Sequence, residues 1–188
     1  MKRILTVILA CLFIALPALA SVEDAQRHAD AFAGALGRRY RLTELYYDGN
    51  DGGEYAAAGV SGLKDTAATF AWRAEEGIPV CALLVETGAA DHGALPEKLL
   101  AAPEEYAEVM ALLTAFAASL APEEDAEALV ARALDRAVRS GGDPAYAFFG
   151  GTAVTGGAEA PDAVAAGGWE FGIYVTLDLL VFSARPAE

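Results

Sequence analysis

Apolar residues recur along this chain at two different periods, and the switches between them mark its elements. After Ser21, the residues Ala25, Ala29, Phe32 and Leu36 return at the spacing of one helix face, and Gly37 follows as a stop, which predicts a helix over 23–37. From Arg41 to Asp48 the period drops to two: Leu42, Glu44 and Tyr46 alternate with Thr43, Leu45 and Tyr47, the mark of a strand. The turn-rich run Gly49-Asn50-Asp51-Gly52-Gly53 then predicts a hairpin that returns along a second strand, Glu54 to Val60.

Residues 62–76 fit both periods. Thr66, Ala68, Phe70 and Trp72 alternate as in a strand, whereas Leu63, Ala67, Phe70 and Ala74 mark one side of a helix. The punctuation favours helix: Asp65 sits early, Arg73 late, Gly77 at the stop position and Pro79 just beyond. Val80 to Glu86, apolar until its last residue and bounded by Pro79 and Gly88, predicts a strand buried on both faces.

Pro103 and Pro122 each suit a first helical position and are followed by acidic residues that complement the positive end of a helix dipole. Tyr106, Val109, Leu113, Phe116 and Leu120 form one seam; Leu129, Ala133, Leu134, Ala137 and Val138 form the next, before Gly141-Gly142. Together they predict a helical hairpin over 103–139. A strand at Tyr146–Thr155 follows, then a glycine-bracketed loop over 156–168 that reads as a slack connection rather than a lid. From Trp169 to Val181 every odd residue is apolar, predicting one long strand bent near Gly172 or Asp178. The sum is an α+β domain: a single mixed, largely antiparallel sheet of about five strands packed by about four helices.

The first twenty residues stand apart from this pattern. Lys2 and Arg3 open them, Ile4–Leu16 is apolar apart from Thr6, and Ala18-Leu19-Ala20 is a small-x-small cleavage site, so residues 1–20 read as a cleaved signal peptide and 21–188 as one exported domain. The run is short for a membrane span and Pro17 interrupts it, so no span is expected after cleavage. Ile8-Leu9-Ala10-Cys11 loosely resembles a bacterial lipoprotein box, but places its cysteine unusually early, with a second apolar run after it.

Charge narrows the partners. The chain carries 13 Lys+Arg against 27 Asp+Glu; without Lys2 and Arg3, 11 basic residues face 27 acidic ones, a net charge of −16. Such a surface repels phosphate backbones and anionic lipid, which argues against nucleic-acid and membrane-surface binding. Dispersed acidic residues also keep a secreted domain soluble.

Only Cys81 remains after cleavage, so no internal disulfide can form and the core alone must stabilise the fold. A chain of this size buries about 68–70 % of its unfolded surface, which suffices. Cys81 and His92 raise the question of a nucleophile and its base. A reactive thiol needs a helix N-terminus or a cation beside it, and Cys81 instead follows Pro79-Val80 and precedes Ala82-Leu83-Leu84-Val85, the setting of a small buried hydrophobe.

Asp24 and His28, four residues apart, read as an ion pair on a helix flank. Asp48, Asn50, Asp51 and Glu54 make an oxygen-rich loop and the best metal candidates. They miss the EF-hand pattern, with Gly52 at its fifth place and Gly59 at its twelfth, and a glycine-rich turn explains them with fewer assumptions. Gly59-Val60-Ser61-Gly62-Leu63 lacks the second glycine of a nucleophile elbow, and Ser61 reads better as a helix cap. Tyr46, Tyr47, Tyr55 and Trp72 are candidate ligand contacts if they form an exposed aromatic patch, though alternate members of the hairpin could equally face the core.

The resulting expectation is an exported, acidic, non-catalytic periplasmic or secreted module, without cofactor or catalytic residues, that binds an envelope protein or small ligand. The rival is a carboxylate- or metal-dependent hydrolase built from the 48–54 loop and His92.

Overall fold

The computed structural model describes residues 21–50, 53–75, 78–86, 94–139, 163–176 and 179–187. Within them the chain is α+β, with four helices packed on one eight-stranded sheet whose pairings are all antiparallel. The elements in chain order are α1 (21–36), β1 (Arg41–Leu42), β2 (Tyr46–Asn50), β3 (Gly53–Ser61), β4 (Ala68–Glu75), β5 (Ile78–Glu86), α2 (Leu95–Ala101), α3 (Ala107–Leu120), α4 (Ala126–Arg139), β6 (Val164–Ala166), β7 (Trp169–Thr176) and β8 (Leu179–Pro186). The strand order is β1-β3-β4-β5-β8-β7-β6, with β2 also paired to β3.

One side-chain register runs across the whole sheet. Trp72 lies opposite Cys81, Phe70 opposite Leu83, Leu83 opposite Phe182 and Phe182 opposite Ile173. Because side chains alternate, these residues share a single face, and that face forms the main core under the helices. Phe32 of α1 stacks on Phe70 at 5.6 Å and meets Phe116 of α3 edge-on at 6.0 Å. Phe116 and Phe171 in turn contact Phe182 at 5.2 and 5.7 Å, so five aromatic rings join two helices to three strands. A smaller cluster of Ala71, Val80, Ala82, Leu84, Tyr174 and Val181 lies on the other face.

The predicted strand at 41–48 is two strands because the pairing slips by one residue. Leu42 pairs with Val60 but Tyr46 with Ala57, so Thr43, Glu44 and Leu45 oppose only Ala58 and Gly59. This is a β-bulge. Thr43 fills the gap: its amide donates to the Gly59 carbonyl at 2.8 Å and its hydroxyl accepts from the Gly59 amide at 2.9 Å. The extra residue reverses parity, so Leu42, Leu45 and Tyr47 all pack against the core while Tyr46 turns outward.

Residues 68–75, expected within a helix, form β4. Phe70 and Trp72 bury their rings on the core face only at a spacing of two, and ladders on both sides satisfy the backbone. Pro79, taken as a helix-following residue, sits inside β5, where β8 has not yet begun to pair: that ladder starts at Cys81. Its missing N–H therefore costs no bond to β8. Ser61 ends β3 and its hydroxyl donates to the Arg41 carbonyl at 3.1 Å, rather than capping a helix.

The long C-terminal strand is the hairpin β7–β8, with Thr176 opposite Leu179. The reversal shifts parity, so Leu180 and Phe182 reach the main core and Leu179 and Val181 the far face. The sheet is thus antiparallel rather than mixed, and larger than five strands. The helical hairpin holds, with each helix starting about one turn after its proline and Asp125 Oδ1 accepting from the Ala128 amide at 3.0 Å. Helix α2, with Leu95 and Leu99 buried, has no counterpart in the periodic reading. The expected strand at 146–155, residues 1–20 and most of the 156–168 loop lie outside the described residues; the end of that loop is β6, joined to β7 by Gly167-Gly168 at φ 57° and 80°.

Candidate functional site

The hairpin residues singled out from the sequence divide between the two faces of the sheet. Gly49 pairs with Glu54 and Asp48 with Tyr55, neighbouring rungs of one ladder, so Asp48 and Glu54 point to opposite sides. Of Asn50 only the backbone position is described, and Asp51 and His92 lie outside the described residues. Among the described residues no three His, Cys, Asp or Glu side chains gather as metal ligands would.

The aromatic set divides likewise. Trp72 is 1 % exposed and lies in the core with Tyr47 tilted against it at 6.5 Å; Tyr46 is 64 % exposed; Tyr55 packs at the edge of the far-face cluster. Burial, and secondarily the Glu54 carboxylate, raises the Tyr47 hydroxyl above its ordinary value; burial alone does so for Tyr55. These four residues do not form one exposed patch.

A buried polar group joins the start of α1 to the sheet. Trp72 Nε1 donates to Asp24 Oδ2 at 3.2 Å, Arg27 pairs with the same carboxylate, and His28 Nδ1 lies 3.5 Å from Oδ2 and 2.9 Å from the Asp24 carbonyl. His28 meets the Trp169 ring edge-on at 5.5 Å. The expected Asp24–His28 pair is present on α1, and the hydrogen bond from Trp72 to Asp24 ties that helix to β4. Cys81 beside it is fully buried; burial, and then the negative charge of Asp24, push its thiol far above the ordinary value. A thiol held in its protonated form is no nucleophile at neutral pH.

A concavity lies elsewhere, between the end of α1 and α3. It is an open groove of about 740 Å³, lined by Ala35, Leu36 and Tyr40 on one side, by Met110, Ala111, Thr114, Ala115 and Ala118 on the other, and by Pro103, Glu104, Ala107 and Glu127. That is the size of a site for a small organic molecule. The small side chains of α3 leave the space open. Gly37, at φ 70°, ends α1 and releases the chain toward Tyr40. The backbone before Tyr40 is held by a close approach: a Cβ on Gly62, at φ +92°, would lie 2.8 Å from the Arg39 carbonyl oxygen. Glu108 fixes the start of α3 by accepting from the Lys64 and Asp65 amides at 3.2 Å.

Tyr40 lines this groove. It is 4 % exposed, the Arg39 guanidinium lies 5.1 Å from its ring centroid, and its hydroxyl has no hydrogen-bond partner among the described residues. A buried polar group left unpaired costs about 1–3 kcal/mol, and this oxygen is sealed from the groove as well as from solvent. Sequence reading missed the groove because it assigned α3 a single seam. The signal was present: Ala107, Met110, Ala111, Thr114 and Ala118 recur at helical spacing as a second uncharged face.

No family model, curated protein or solved structure matches this chain. No helix of the described residues is long and apolar enough to cross a membrane.

Proposed function

We propose that the chain is an exported, acidic, non-catalytic module that binds a small ligand in the groove between α1 and α3. The observation that carries this reading is an open groove of ligand size walled by small, uncharged side chains of α3. The leader-like residues 1–20 support export, and the strongly negative chain supports a soluble envelope or extracellular setting.

Nile red, an uncharged dye that brightens in apolar sites, tests the reading on the full chain. Saturable binding to one site, suppressed by Ala111→Trp with the thermal midpoint unchanged, is expected. Binding that ignores Ala111→Trp, or no binding at all, would overturn it. Export is tested separately by N-terminal sequencing of the protein recovered outside the cytoplasm, which should begin at Ser21.

A further inference from the structure

We draw no further inference here: the strongest candidate, the far face of the sheet, where Ala71, Ala82 and Val181 are fully buried although the core residues of all four helices belong to the opposite face, carries nothing because nothing among the described residues shows what covers it.

Discussion

Helices α3 and α4 are neighbours of equal length, 14 residues each, and they divide their surfaces differently. Helix α4 carries Glu127, Arg132, Asp135, Arg136 and Arg139 on its outer side and buries Leu129, Val130, Ala133, Leu134 and Ala137 on the other, the ordinary division of a surface helix. Helix α3 has Glu108 as its one charged residue. It buries Leu112, Leu113, Phe116, Ala117 and Leu120 toward the sheet, and leaves Ala107, Ala111 and Ala118 on a side where the groove, not another helix, lies. A helix that is apolar all round normally sits inside a core. Here the excess apolar face lines a concavity, and that difference sets the wall of a groove apart from a scaffold.

Truncating the two sheet-facing seams gives the largest expected effect and the severest test of this contrast. Leu113→Ala in α3 and Leu134→Ala in α4 both remove fully buried side chains, and each should cost about 2–5 kcal/mol in urea unfolding. Ala111→Gln on the groove side of α3 should stay within about 0.5 kcal/mol of the parent, as exposed substitutions do. If Ala111→Gln proves as damaging as Leu113→Ala, that side is packed core and the two helices do not differ.

Next in size is Gly62→Ala. The new methyl group would collide with the Arg39 carbonyl at a backbone angle that L residues rarely adopt, so a loss of about 1–3 kcal/mol is expected. Because Arg39 precedes Tyr40, the same change should weaken dye binding in the groove. The α4 side of the molecule offers the control: Ala128→Gly, on its exposed face, should cost about 1 kcal/mol and leave dye binding unchanged.

How much of this was legible from residue order depended on whether one period or two operated. Helices α1 and α4 were readable because each has one apolar stripe bounded by polar residues and a glycine or proline signal. β4 was misread because Leu63, Ala67, Phe70 and Ala74 mimic a helix face, and only pairing to β3 and β5, a long-range fact, decides for the strand. The bulge at 43–45 and the β7–β8 reversal shift parity by one residue, and parity is what assigns a side chain to a face. That is why the aromatic patch at the hairpin dissolved into separate faces. The groove was hidden for a different reason: it is a surplus of small residues on α3, and Tyr40 on its other side belongs to a segment with no periodic signal.

Cys81 shows whether water reaches the core beneath the start of α1, at the other end of that helix from the groove. Its thiol is raised in the folded state above its ordinary value of 9.0, so the native protein keeps the proton while the unfolded chain releases it. Stability should therefore be intact below pH 9 and fall as pH rises, by about 1.4 kcal/mol per pH unit while that difference lasts. Tyr47 and Tyr55, raised from 10.0, add to the decline only above pH 10. Cys81→Ala should flatten the curve between pH 9 and 10 and leave the steeper part. A parent curve already flat across that interval, or rapid native labelling by a thiol reagent, would mean that water reaches the sheet beneath the start of α1.

The smallest expected effect belongs to the wet face of α4, where the contrast with α3 is plainest. Arg139 Nη2 lies 2.6 Å from Asp135 Oδ2, one turn apart, and both side chains are largely in solvent. Water screens such a pair and the side chains lose rotamer freedom in forming it, so Arg139→Ala should cost about 0.3–0.5 kcal/mol, fading as salt is raised. Arg139 also stands at the negative end of the α4 dipole, so Asp135→Ala separates the pair from the dipole: it removes the pair but leaves the favourable end charge. Should Arg139→Ala cost clearly more than Asp135→Ala, the end charge outweighs the pair. Neither change should alter dye binding in the groove, because α4 contributes only Glu127 to its lining, and a shift in dye affinity with either variant would show that the scaffold helix helps to shape the groove.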